Sequence, residues 1–209
     1  MNIKKFTLGP LSTNAYLMEN GEDSILFDAP PSSGKIVEYI KERGLKLKAL
    51  LLTHGHFDHI RGLKDLLKYD ENLKIYIGAK EQDFLSSPYK NMSLLWFPYY
   101  SNFNPKDLNL ETLKEGDKVF NFDVIESPGH TIGGITFVEY DANLAISGDN
   151  AFSKSTGSFR LPTGNKEELG KSIKRLYDIT SNNSFRILPG HGEEITSDNL
   201  VPLMAHFID

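Results

Sequence analysis

Thr53-His54-Gly55-His56-Phe57-Asp58-His59 follows directly on the apolar run Leu47-Lys48-Ala49-Leu50-Leu51-Leu52. The run is too apolar for a half-exposed strand and suits a strand covered on both sides. The segment behind it packs three histidines and an aspartate into six residues. Such a cluster is costly to assemble unless a metal holds it together. His54 and His56 are two apart, so on extended backbone both project to the same side. Asp58 and His59 are adjacent and are expected to point apart, which suits ligands for two different ions. Ile60, Leu63, Leu66 and Leu67 then mark one face of a helix. A strand that ends in a ligand-rich loop and re-enters as a helix is the pattern of an α/β fold.

Working outward, three more candidate ligands sit in glycine-containing turns behind short strands. His130 lies in Ser127-Pro128-Gly129-His130-Thr131, behind the alternating segment Phe120 to Val124. Asp149 lies in Ser147-Gly148-Asp149, behind Leu144-Ala145-Ile146. His191 lies in Leu188-Pro189-Gly190-His191-Gly192, behind Phe185-Arg186-Ile187. Taken singly, each is an ordinary turn. Together with the His-rich loop they make five histidines and two aspartates, enough for two ions. Imidazole and carboxylate donors without sulfur suit zinc, iron or manganese.

These segments, with Gly148 to Phe152 and Leu161-Pro162, resemble the metallo-β-lactamase-fold hydrolases over nearly the whole chain. Within that superfamily the chain is most similar to the short bacterial type of glyoxalase II, the hydroxyacylglutathione hydrolases. The resemblance implies a four-layer αββα sandwich of two mixed sheets flanked by helices, carried by residues 1–209 as a single domain. It implies that His54, His56 and His130 hold a first ion, that Asp58, His59 and His191 hold a second, and that Asp149 bridges them. Two divalent ions, zinc foremost with iron or manganese as alternatives, are the implied cofactors. Asp58 and Asp149 are the implied catalytic carboxylates, and a metal-bridging hydroxide is the implied nucleophile on a small thioester. The same scaffold also serves a mononuclear iron persulfide dioxygenase, and lactone or phosphoester hydrolases. Lactonases of this type carry a tyrosine three residues after the bridging aspartate, and Phe152 stands there. The missing ligand cysteine and the retained Asp149 count against a β-lactamase. The C-terminal helical domain that binds glutathione in long glyoxalase II is not expected here. Relatives also place arginine and aspartate where Ser158 and Arg160 stand, which leaves the loop near the site open.

Composition narrows the class further. The chain has 209 residues, net charge −5 and no cysteine. Disulfides, thiolate ligands and a cysteine nucleophile are excluded. No block of like charge favours nucleic acid or an acidic membrane as partner. With no apolar segment behind Lys4 and Lys5, a cytoplasmic location is expected. A small-molecule substrate is the expected partner, and the protein is expected as monomer or homodimer. Strands are expected near Ile3–Leu8, Ala15–Glu19 and Ser24–Phe27, with Asn20-Gly21 as a hairpin turn. Ser32 or Ser33 can cap a helix that Gly44 ends, with Ile36, Val37 and Ile40 on its buried face. A short strand at Lys74–Ile77, three meandering strands from Lys118, a helix over 166–180 and a terminal helix through Leu200, Leu203, Met204 and Phe207 complete the pattern. Lys171, Lys174 and Arg175 form a solvated helix face. The aromatic stretch from Ser86 to Asn104 is either packing on the core, a wall over the metals or an association surface. Lys90, Lys106, Lys154 and Arg160 are the basic residues available to an anionic thiol carrier. His206 falls outside every motif.

Overall fold

The computed structural model describes residues 2–96, 100–182 and 184–207. They form two compact units, Met1–Ile77 with Gln82–Thr112, and Gly78–Glu81 with Leu113–Asp209. The first is built on a six-stranded mixed sheet. In order across the sheet its strands are β1 (Asn2–Leu8), β2 (Thr13–Asn20), β3 (Asp23–Phe27), β4 (Lys46–Leu51), β5 (Lys74–Gly78) and β6 (Leu110–Leu113). β1, β2 and β3 pair antiparallel. The β2–β3 hairpin closes at Asn20 opposite Asp23, with Gly21 at φ +63, as Asn20-Gly21 predicts. β3, β4 and β5 are parallel, so each connection must cross back over the sheet. α1 (Gly34–Glu42) makes the first crossover, and α2 (Phe57–Ile60) with α3 (Leu63–Tyr69) makes the second. Ile36, Val37 and Ile40 of α1 and Leu63 and Leu66 of α3 pack on Leu17, Leu26, Leu50, Leu52, Ile75 and Ile77 of the sheet.

The sheet of the second unit runs β11 (Arg186–Pro189), β10 (Leu144–Gly148), β9 (Ile135–Glu139), β8 (Phe122–Glu126), β7 (Lys118–Val119). β7 to β10 form an antiparallel meander. β11 joins parallel to β10 after the crossover helix α4 (Lys166–Thr180). Leu169, Ile173 and Leu176 of α4 and Leu200 and Leu203 of α5 (Ser197–Met204) pack on Val138, Ala145 and Ile187. β9 and β10 are buried at every residue, so both faces of this sheet are covered at its centre. Two mixed sheets with flanking helices are therefore present, as expected. Among the described residues no helix is long and apolar enough to cross a membrane.

Three local expectations need correction. Ser33 does not cap α1 with its side chain; its hydroxyl donates backward to the Pro30 carbonyl at 2.7 Å, and the Asp65 carboxylate accepts from the Gly34 N–H instead. Phe120 does not alternate within a strand. Val119 pairs with Phe122, so Phe120 sits in the two-residue turn between β7 and β8 at φ +52, with its side chain half exposed. β4 is covered on both sides only in its second half, because Lys46 and Lys48 remain exposed.

The parallel core of the first sheet decides where chemistry collects. Phe27 pairs with Leu51, so β3 and β4 end side by side. The Asp28 N–H donates to the Leu51 carbonyl at 3.0 Å, which brings Asp28 next to the start of the His-rich loop. Sites in open α/β sheets form beyond such carboxyl ends of parallel strands.

Candidate metal centre

In the first unit, β4 gives way to irregular backbone and then to the single helical turn of α2. His54, His56, Asp58 and His59 are all buried there. His54 Nε2 and His56 Nδ1 lie 3.2 Å apart, with the two rings edge to face at 84°. The same-side projection expected for this pair holds. Asp58 and His59 do not point apart. They occupy a helical turn rather than extended backbone, and His59 Nε2 comes to 3.5 Å from Asp58 Oδ2. The Thr13 hydroxyl, at the start of β2, donates to the same Asp58 oxygen at 2.8 Å.

Asp28 organises this half and was not singled out in the sequence. Its carboxylate accepts the Thr53 N–H, the Thr53 hydroxyl and His59 Nδ1–H, each at 2.8 Å. Its backbone is left-handed, φ +59, which costs a residue with a side chain about 1–2 kcal/mol. Three charge-assisted bonds outweigh that strain. They also settle the imidazole tautomers. A carboxylate only accepts, so Nδ1 of His59 carries a proton and Nε2 is the nitrogen left for a metal. The Thr53 hydroxyl donates to Asp28, so its oxygen accepts Nδ1–H of His54 at 3.1 Å. His54 Nε2 is then also left for a metal, aimed at His56.

In the second unit, β10 breaks register between Ile146 and Gly148, and the positive φ of Gly148 turns the chain into Asp149. β11 delivers His191 alongside, with the Gly190 N–H donating to the Gly148 carbonyl at 2.8 Å. His130 follows Gly129, whose φ of +127 and close approach to the backbone of Leu169 leave no room for a side chain. One carboxylate oxygen is shared: Asp149 Oδ2 lies 3.5 Å from His130 Nε2 and 3.4 Å from His191 Nε2. The Ser158 carbonyl accepts Nδ1–H of His130 at 2.9 Å, again leaving Nε2 for a metal. Gly157 lets that loop approach, since a Cβ there would meet the Asp149 carbonyl oxygen and His130 Nδ1. The departures at Ser158 and Arg160 thus leave this contact intact, because it runs through main chain. Arg160 is exposed and lies over the Phe159 ring.

The donor chemistry fits divalent ions. At bonds of about 2.0–2.1 Å, two ligands of a tetrahedral zinc stand about 3.3 Å apart. The four pairs above span 3.2 to 3.5 Å. Lone pairs facing one another at that distance repel unless a proton or a cation stands between them. Outer hydrogen bonds from Asp28, Thr53, Thr13 and Ser158 orient His59, His54, Asp58 and His130 for binding metal.

Other singled-out residues fall as follows. Lys90 pairs with Asp83, while Lys106 and Lys154 are exposed. His206 is exposed on the last helical turn. Lys171, Lys174 and Arg175 face outward and pair with Glu168, Asp178 and Glu115. The aromatic stretch is partly anchored. The Asn91 side chain ties together the Phe84 and Ser101 carbonyls and the Ser93 N–H, and the Asn91 main-chain carbonyl accepts from the Phe57 N–H. Trp96 stacks on Phe57 at 5.5 Å, whereas Tyr89, Leu94, Leu95 and Tyr100 are exposed. Phe97, Pro98 and Tyr99 lie outside the described residues.

Similarity to known proteins agrees with this chemistry. The profile of the metallo-beta-lactamase superfamily matches residues 8–191. The hydroxyacylglutathione hydrolase GloC of Haemophilus influenzae is 32% identical over 203 residues, covering 94% of this chain and 93% of GloC. Among solved structures, the BLEG-1 B3 metallo-beta-lactamase superposes with a TM-score of 0.88 at 26% identity, over 100% of both chains. TTHA1623 in a di-iron-bound form gives 0.82 at 31% identity, over 95% of this chain and 96% of that one. The chain belongs to the metallo-β-lactamase superfamily.

Proposed function

We propose that the chain is a dinuclear thioester hydrolase of the glyoxalase II type. In this reading His54, His56 and His130 hold one divalent ion, Asp58, His59 and His191 hold the second, and Asp149 is shared between them. The observation that carries the reading is the ligand-like spacing within each half, 3.2 to 3.5 Å, with three imidazoles locked as Nε2 donors. The likeness to GloC supports a thioester as substrate. Zinc is the proposed metal, and the same donors accept iron or manganese.

When bound, two such ions supply an acidified water and a Lewis acid for the acyl carbonyl. The chain's own residues do the rest. Asp28 and Ser158 hold the imidazoles of His59 and His130 against rotation. Thr13 holds Oδ2 of Asp58, and Asp58 is the carboxylate placed to take up a proton as the tetrahedral intermediate collapses. A thiolate leaves without a strong general acid, so no further histidine is required.

The test is turnover of S-lactoylglutathione by metal-loaded protein, beside a cephalosporin because of the likeness to BLEG-1. Thioester hydrolysis that is abolished in His130→Ala supports the proposal. Cephalosporin hydrolysis without thioester turnover overturns it in favour of a lactam substrate. A single iron with oxygen uptake on glutathione persulfide overturns it in favour of an oxygenase.

A further inference from the structure

Arg61 follows the ligand His59 by two residues, at the end of α2. Its backbone is helical (φ −62, ψ −29), and its N–H donates to the Phe57 carbonyl at 2.8 Å. The side chain therefore rises on the face of Phe57 and Asp58, which precede it by four and three residues. Asp58 is a proposed metal ligand, and Phe57 carries the stacked Trp96 at the base of the aromatic stretch.

The guanidinium is also unusual in its company. Arg43, Arg175 and Arg186 each hold a glutamate: Glu19, Glu115 and Glu194. Arg61 is half-buried, its Nε is inaccessible to solvent, and that Nε has no hydrogen-bond partner among the described residues. A cation partly withdrawn from water without a counter-charge is costly. With Nε sealed from solvent, an arriving oxyanion meets the outer Nη groups, and a guanidinium grips carboxylate or phosphate through two parallel bonds there.

We propose that Arg61 is the specificity-determining residue for the thiol half of the substrate, and that it binds an oxyanion on that half. The inference rests on the thioester hydrolase reading. In that reading the acyl carbonyl is handled at the metal ligands, and Arg61, three residues after Asp58 on the same helical turn, is assigned to the thiol half. A carboxylate, as in glutathione, and a phosphate, as in coenzyme A, share the required chemistry.

The experiment compares metal-loaded wild type, Arg61→Gln and Arg61→Lys on three lactoyl thioesters: those of glutathione, coenzyme A and neutral N-acetylcysteamine. The expected result is that Arg61→Gln lowers the ratio of kcat/KM for an anionic thioester to that for the neutral one at least tenfold. The loss should fall in KM, and Arg61→Lys should restore part of it. Loss confined to the glutathione thioester assigns a carboxylate, and loss confined to the coenzyme A thioester assigns a phosphate. An unchanged ratio for both overturns the proposal. If wild type hydrolyses none of the three, the thioester reading fails, and calorimetric titration with S-methylglutathione and coenzyme A still decides Arg61. Binding of either probe that weakens at least tenfold in Arg61→Gln upholds it. Equal binding to both proteins, or binding to neither, overturns it.

Discussion

Replacing Asp28 with asparagine keeps the volume of the side chain and removes its charge. The carboxylate accepts three hydrogen bonds at 2.8 Å, from the Thr53 N–H, the Thr53 hydroxyl and His59 Nδ1. An amide has one accepting oxygen, and its NH2 must face at least one of these donors. Leaving a buried donor without an acceptor costs about 1–3 kcal/mol, and more where the acceptor was charged. The more telling loss is in metal binding. Without the carboxylate, His59 is free to flip or to move its proton to Nε2, and the Thr53 hydroxyl is released from its role beside His54. Loss of such an outer partner lowers metal affinity about 10–100-fold, or about 1.4–2.8 kcal/mol. The assay is competition for zinc between apoprotein and a chromophoric chelator, with urea unfolding of the apoprotein run in parallel. The expected outcome is weaker binding of at least one ion, in excess of what the change in folding stability explains. Unchanged affinity for both ions in a folded Asp28→Asn protein would refute the claim that Asp28 fixes the ligand tautomers.

Other expectations follow from the same contacts. Gly157→Ala sets a methyl against the Asp149 carbonyl and the His130 ring, so hydrolysis and metal content should both fall; a fully active, fully loaded variant contradicts the loop's role. Thr13→Val should lower kcat while Thr13→Ser restores it, because only the hydroxyl reaches Asp58; steady-state kinetics on the three proteins decides this. Glu115 binds Arg175 at 2.6 and 3.0 Å and accepts the Glu126 N–H, and the guanidinium foremost holds its carboxyl below the ordinary carboxylate range. A lowered carboxyl pKa contributes stability above the unfolded value of about 4.3, and that contribution fades as pH falls through the folded value. Arg175→Ala should therefore cost up to about 1 kcal/mol at pH 7, since both groups are nearly half exposed, and progressively less in acid. Urea melts at pH 7 and below pH 4 measure this, and a cost that grows in acid contradicts it. Asn91→Ala removes three bonds that order the segment beneath Trp96, and should raise thioester KM more than it lowers kcat.

What the sequence reveals and what it hides divides along physical lines. The His-rich loop is legible because ligand-type residues at short spacing have few other uses. The helix over 166–180 is legible because a hydrophobic stripe and its polar faces run for four turns without interruption. Gly44 and Gly21 are legible because positive φ is where glycine is cheapest. Asp28 and Thr13 are not. Each is a common residue at a strand end or start, and its partner lies 31 or 45 residues away. The directions of Asp58 and His59 were misjudged because a single turn of helix cannot be told from extended backbone over four residues, and the two place neighbouring side chains differently. Phe120 was misjudged because a bulky residue at φ +52 runs against its own preference. Arg61 passed unnoticed because an arginine at a helix end ordinarily finds a carboxylate, and only the fold reveals that its Nε does not.

The proposal to be tested is that His54, His56, Asp58 and His59 hold two ions together with His130, Asp149 and His191. Its most direct test is metal content per chain, by plasma mass spectrometry on protein purified without chelator, for wild type and Asp149→Ala. The account predicts about two ions of zinc, iron or manganese in wild type. It predicts a clear loss in Asp149→Ala, because the shared carboxylate serves both ions. Two ions retained at full occupancy in Asp149→Ala, or no more than one in active wild type, would contradict it.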